Sequence, residues 1–250
     1  MKMPTKIYAL GGCLLLASGV VSAFVLLNPA RTWSSAPSYI VDDRGNSTVT
    51  DNDGGATRTV AAITSNQAWN GAGAGTVVNA QKGSIDGFAL GDGTPMLNFE
   101  DPTGACDGNC LAATFTGYYT QTGRGRNRSY TIFDADIVTN TAYDWTSEGE
   151  NDGCSNEFSI EGVHVHEIGH GLGLGHSNVS GATMFPSVSA CNNSPATISQ
   201  DDADGILALY GDSGGGGGSC DLGQAGDSCT ANNQCCSGKC RGKGGNQSCR

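Results

Sequence analysis

The alternation of apolar and polar positions divides the chain into unequal stretches. The first is an almost unbroken apolar run from Ile7 to about Leu27, preceded by Lys2 and Lys6. A basic start, an apolar centre and the small residues Val21-Ser22-Ala23 mark residues 1–23 as a secretory signal peptide. Left uncleaved, a run of this length would span a bilayer. Leu10-Gly11-Gly12-Cys13 also resembles a lipoprotein cleavage box, but too few apolar residues precede it. Residues 24–32 then form a short segment before the main domain. They carry no cysteine.

Beyond Trp33 the pattern shortens. Ser38 to Val41 reads as a strand, and the polar, turn-rich stretch Asp42 to Ala56 as a loop. Val60, Ile63, Ala68 and Trp69 recur at offsets near three and four, which predicts a long helix ended by Gly71 to Gly75. Thr76 to Asn79 and Pro95 to Phe99 read as further strands. Tyr143 to Cys154 is an acidic loop. Asn156 or Ser159 can cap a following helix whose Ile160, Val163 and Ile168 face the core. A last helix starts at Ser199, has Asp201 and Asp202 in its first turn, turns Ile206, Leu207 and Tyr210 inward and stops at Gly211.

The chemistry concentrates in one place. His166 to His176 reads His-Glu-x-x-His-x-x-Gly-x-x-His. Residues four apart on a helix share a face, so His166 and His170 can grip one Zn²⁺. Glu167 stands beside them, placed to take a proton from a water. Gly173 suits a turn at positive φ that reverses the chain and returns His176 as a third ligand. Three protein ligands leave a coordination position open, as in catalytic zinc sites. The bare five-residue motif arises by chance in about one chain of this size in a hundred, and the full eleven-residue pattern in about one in a hundred thousand. All four histidines lie between His164 and His176. His164 falls two residues from His166, on roughly the opposite face, and is read as packed or solvated.

With those residues in view, the chain resembles the metzincin metalloproteases, and in its matrixin branch Thr183-Met184-Phe185-Pro186 corresponds to the methionine turn beneath the zinc. Residues 198–211 resemble the closing matrixin helix, and residues 33–140 the family's order of strands around a first helix. The resemblance implies an α+β fold: a twisted mixed sheet, a long backing helix, the zinc helix, the methionine turn and a C-terminal helix, over residues 33–211. It implies a zinc endopeptidase with Glu167 as general base and zinc ligands His166, His170 and His176. Leu111 to Phe115 resembles the edge strand that pairs with extended substrate, so Leu111 and Ala112 would hydrogen-bond the peptide, while Pro186 and Val188 would wall the pocket for the residue after the scissile bond. Animal matrixins carry a second, structural zinc whose histidines fall here on Ala113 and Ile132. That second zinc is expected to be absent. Asp134 matches a calcium ligand of the family, but its usual acidic partner falls on Ile137, so calcium stays an open expectation, and Asp134 and Asp136 read equally as solvated acids.

Charge and cysteines complete the picture. A formal net charge of -11 argues against nucleic acid as a partner. Protein or peptide substrates and a monomeric state are expected. The chain has 11 cysteines; loss of Cys13 with the signal leaves an even number, fitting an oxidising, extracellular destination. Cys106 and Cys110 are close enough for a tight disulfide loop, in which case Cys154 pairs with Cys191; four cysteines allow three connectivities. Residues 212–219 hold a run of five glycines and read as a flexible linker. The six cysteines of residues 220–250 resemble an inhibitor cystine knot, a knottin. That likeness implies the pairs Cys220–Cys236, Cys229–Cys240 and Cys235–Cys249, and an extracellular target for the module. A competing expectation makes this module the functional part, toxin-like or binding, with the protease domain as scaffold.

Overall fold

A computed structural model describes residues 24–43, 52–120, 130–147, 154–211, 240–242 and 248–249. The expected signal peptide, the expected linker and most of the six-cysteine segment, with the sulfur atoms of its three expected pairs, lie outside the described residues.

In chain order the elements are β1 (Val25–Leu26), β2 (Ser38–Asp42), α1 (Asn52–Thr64), β3 (Asn79–Gly83), β4 (Met96–Asn98), β5 (Ala112–Thr120), β6 (Tyr130–Thr139), β7 (Trp145–Thr146), β8 (Phe158–Ser159), α2 (Ile160–Gly171), β9 (Leu174–Gly175), α3 (Gln200–Tyr210), β10 (Cys240–Arg241) and β11 (Ser248–Cys249). Five strands form one mixed sheet in the order β3-β2-β4-β6-β5. Neighbours are parallel except β5, which runs antiparallel to β6 along one edge. β6 is mostly buried, while β5 keeps one flank open, and that difference makes β5 the accessible edge. α1 and α2 pack against each other, α1 against β2 and β3 and α2 against β5 and β6. Trp69, Tyr39, Leu97, Phe99, Ile137 and Ile168 are all wholly buried in the core. The pairing of β10 with β11 is antiparallel, Cys240 opposite Cys249.

The helix α1 starts at Asn52, inside the stretch read as loop, and ends at Thr64, before the glycines expected to end it. Its buried face is Ala56, Thr59 and Ile63. Thr59 reads as polar in the sequence, yet its hydroxyl meets His164 Nδ1 at 3.4 Å. The helix stops because hydroxyls compete for its backbone: Thr64 Oγ1 donates to the Val60 carbonyl, and Ser65 Oγ accepts from the Gln67 N–H. Trp69 then lies in a separate 3₁₀ turn, Trp69–Gly71. The strand expected at Thr76 to Asn79 begins only at Asn79. Val77 and Val78 are buried, but both donate their N–H groups to Asn70 Oδ1, at 2.8 and 3.1 Å, and so cannot enter the ladder. In α3, Ser199 forms a reciprocal capping box with Asp202. Ile206 is buried, but Leu207, expected inward, is 36% exposed, since its neighbour occupies the core-facing position.

Asp134 and Asp136 are not solvated. They are 0% and 1% exposed on β6. The loop before β4 closes over them: Gly93 N–H donates to Asp134 Oδ2 at 3.2 Å, and Gly91 and Met96 N–H donate to Asp136 at 3.4 and 3.3 Å. Burial, and secondarily the neighbouring Asp134 carboxylate, pushes the Asp136 carboxyl up to about 7.

Candidate metal centre and peptide cleft

Helix α2 opens on Ser159, whose hydroxyl accepts from the Gly162 N–H at 3.2 Å, with Glu161 in the first turn. Its periodicity sets His166 and His170 side by side, ring centroids 4.8 Å apart. Gly173 then takes φ 109°, where a side chain would also collide with the Arg31 carbonyl. Strand β9 follows and brings His176 to centroid distances of 5.3 Å from His166 and 4.8 Å from His170. The nearest ring nitrogens of all three lie within 4.8 Å of one another.

Backbone carbonyls fix the imidazoles. His166 Nδ1 lies 2.6 Å from Thr183 O, and His170 Nδ1 2.8 Å from Leu174 O. A carbonyl can only accept, so each Nδ1 carries the proton and each Nε2 keeps its lone pair. Burial lowers the basicity of His170 and of His176, which favours the neutral form that binds a cation. Three neutral imidazoles at this separation suit Zn²⁺.

The turn below is held from α3. Asp202 accepts from the Thr183 N–H at 2.7 Å and from the Met184 N–H at 3.0 Å. Asp202 thus positions Thr183, whose carbonyl positions His166. Met184 is 2% exposed and lies under Gly169, where any Cβ would strike Met184 Sδ and the Trp69 ring. The sequence marks Asp202 only as a helix-start acid; its hold on the turn comes from tertiary packing.

Glu167 is 6% exposed. The Thr114 hydroxyl lies 2.6 Å from Glu167 Oε2 and 3.0 Å from the Glu167 carbonyl. Thr114 was not singled out in the sequence, and only the fold brings it here from β5. His164, by contrast, is wholly buried. Its two ring nitrogens meet the hydroxyls of Thr59 and Thr139, and its ring stacks on Trp145. Burial drives its pKa down to about 3. It is a packed core residue.

Two cavities flank Glu167. One, about 350 Å³, is lined by the expected Leu111, Ala112, Pro186 and Val188, and also by Tyr143, Phe158 and Phe185. The Leu111 carbonyl, however, is taken by the Asn140 N–H at 2.9 Å. Ladder alternation then turns the main-chain groups of Ala112 and Thr114 to the open edge. The second cavity, about 320 Å³, shares Ala112, Glu167 and His176 with the first and extends to Leu27, Arg31 and Thr116. Disulfides Cys106–Cys110 and Cys154–Cys191 both form, with Cα separations of 5.2 and 5.6 Å. The first loop reaches the cavity through Cys110.

Residues 98–211 match the Matrixin family. The match takes in just under half of the chain, including the whole histidine motif. Over 127 residues the chain is 35% identical to Matrilysin of Rattus norvegicus, covering 51% of this chain and 39% of that one. It is 42% identical over 81 residues to Metalloendoproteinase 1 of Glycine max, 32% of this chain and 24% of that one. Against Metalloendoproteinase 5-MMP of Arabidopsis thaliana it is 52% identical over 62 residues, 24% and 17% of the two chains. The chain therefore spans well under half the length of these relatives. The histidine triad lies inside the matched segment and, among the described residues, is the group of side chains that could hold a metal ion. β1, β2, α1 and β3 precede the matched segment, yet β2 and β3 complete the same sheet. Among the described residues no helix is long and apolar enough to cross a membrane.

Proposed function

We propose that the chain is a secreted endopeptidase that hydrolyses peptide bonds in extended protein substrates, with His166, His170 and His176 holding one catalytic zinc and Glu167 serving as general base. The observation that carries this reading is the Glu167 carboxylate, standing beside the three imidazoles at the junction of two cavities under an open strand edge. A substrate adds to β5 as a further strand, paired through the outward main-chain groups of Ala112 and Thr114. The side chain after the scissile bond enters the cavity walled by Pro186 and Val188. Zinc, when bound, supplies Lewis acidity that acidifies a water and polarises the substrate carbonyl. Glu167 accepts the proton as the water oxygen bonds to the carbonyl carbon. It then delivers that proton to the amine nitrogen as the C–N bond breaks. Met184 packs below as a floor and touches no reacting atom.

Secretion follows from the leader pattern of residues 1–23 and from the disulfides. A structural second zinc is not part of this reading, since Ala113 and Ile132 have no metal-binding atoms. Calcium at Asp134 and the knottin-like pairing of residues 220–250 belong to it as proposals, the latter as an address to an extracellular target. The test is cleavage of casein by the full chain, with and without a chelator, beside Glu167→Gln. The variant should keep one zinc per chain and lose nearly all turnover; retained turnover sinks the role of Glu167. Deleting residues 213–250 separates the competing reading: unchanged cleavage with lost surface binding makes the tail an address, and increased cleavage makes it an inhibitor.

A further inference from the structure

The segment before β2 is built into the cleft. β1 pairs antiparallel with β9, Val25 opposite Gly175 and Leu26 opposite Leu174, between the second and third histidines of the triad. Leu27 N–H adds a bond to Gly173 O at 2.9 Å. Five residues on, Thr32 bridges to Thr131 on β6, donating to Tyr130 O at 3.2 Å and accepting from Ile132 N–H at 2.9 Å. Trp33 Nε1 donates to Gly171 O at 2.8 Å. Arg31 is thus clamped between the loop of the triad and the sheet.

Arg31 is one of the residues lining the second cavity. The guanidinium carbon lies 4.3 Å from the centre of the Tyr118 ring, which fixes its orientation. Arg31 Nε is buried and has no hydrogen-bond partner. Among the described residues no carboxylate pairs with it. The other walls towards this end are Leu27, Ala113, Thr114 and Thr116, apolar or hydroxylic. The cavity therefore sets one oriented cation among apolar and hydroxylic walls, with the Glu167 carboxylate and the His170 and His176 imidazoles completing the lining, and Pro186 and Val188 take no part in it.

We infer that Arg31 makes the cleft select peptides bearing a carboxylate side chain on the amino-terminal side of the scissile bond. The inference rests on the endopeptidase reading above, which assigns the first cavity to the residue after that bond and so leaves the second to residues before it. A guanidinium offers a planar fork that matches an Asp or Glu carboxylate in a paired hydrogen bond, and it repels Lys or Arg. The formal net charge of -11 opposes acidic peptides at long range, so any preference for them is local in origin.

The experiment uses the full zinc-loaded chain and three fluorogenic peptides, identical except for Glu, Gln or Lys at the second and third positions before the cleaved bond. The ratio of kcat/KM for Glu over Lys should be at least about 10, the size of a charge-assisted hydrogen bond. Arg31→Ala should bring the ratio near one, Arg31→Lys should keep part of it, and Arg31→Glu should invert it. Because each readout is a ratio within one preparation, loss of folded protein does not mimic the effect. Equal cleavage of the Glu and Lys peptides by the unaltered chain overturns the inference, as does a preference that survives Arg31→Ala. If none of the peptides, nor casein, is cleaved by the metal-loaded chain, the endopeptidase reading falls and takes this one with it. Cleavage of casein with an unselective peptide series removes Arg31 alone.

Discussion

The two faces of α2 present the same residue type to opposite physical surroundings. His164 looks inward, to Thr59 of α1, Thr139 of β6 and the Trp145 ring, and every polar atom it has is already partnered. His166 and His170 look outward, each with Nδ1 fixed by a carbonyl and Nε2 left over. Two residues along a helix turn the side chain by about 200°, and that rotation separates a core histidine from a candidate ligand. What matters for chemistry is therefore the partner set of each ring and not its degree of burial, because His170 too is largely enclosed.

The sharpest way to break this contrast is to remove one histidine from each face. His170→Ala should abolish casein cleavage and drop the zinc content from one per chain to none. His164→Gln keeps hydrogen-bonding groups for the two threonines. It should retain full zinc content and cost stability only, about 1–3 kcal/mol for an imperfectly replaced buried polar group. Metal analysis with thermal melting decides: loss of zinc in His164→Gln would remove the distinction.

How much of this was legible in the sequence depended on whether a residue's partners are local. His166, Glu167 and His170 sit within five residues, so helix periodicity alone placed them, and Gly173 announced the turn that returns His176. The cap at Ser199 was readable for the same reason. Thr114 meets Glu167 across 53 residues, and no local pattern could mark it. Val77 and Val78 were misread as strand because Asn70, seven and eight residues away, captures their N–H groups. For Asp134 and Asp136 the sequence leaves a calcium site and solvated acids equally open; only the solvated alternative falls, because burial on both faces of β6 follows once the loop before β4 closes over them.

Thr114 offers a smaller effect on the cleft face. Its one proton goes to the Glu167 carboxylate at 2.6 Å, a charge-assisted bond that holds the base in place. Thr114→Val keeps the shape and removes the donor. We expect kcat to fall about tenfold, in line with roughly 1.5 kcal/mol for a hydrogen bond to a charged group. KM should stay within a factor of about two, and Thr114→Ser should restore most of the loss. An unchanged kcat in Thr114→Val would leave Glu167 positioned by its helix alone. Beneath the same helix, Gly169→Ala drives a methyl into Met184 and Trp69. It should cost about 1–3 kcal/mol as overpacking, read as a lower Tm with zinc content retained.

The subtlest test uses pH, because the inward face of α2 and the acid pair on β6 pull in opposite directions. The His164 pKa falls from 6.5 to about 3 on folding, by burial. The unfolded chain therefore binds the extra proton between those values, and the stability His164 allows above pH 6.5 is lost as pH falls towards 3. Asp136 behaves oppositely: its pKa rises from 3.8 to about 7, by burial and by Asp134. Its contribution is fully present below about pH 4 and is lost as pH rises through 7. Across pH 4 to 6.5 the two slopes oppose each other. Replacing either group should therefore unmask the other. Relative to the unaltered chain, the Tm of His164→Gln should fall more steeply as pH rises through this window, and the Tm of Asp136→Asn should rise more steeply. Taking differences against the unaltered chain, all in chelator, cancels the shared titration of His170 and His176. If both variants tilt the same way, the opposed burial of one base and one acid does not govern stability in this range, and the contrast between the faces of α2 is one of hydrogen-bond partners alone.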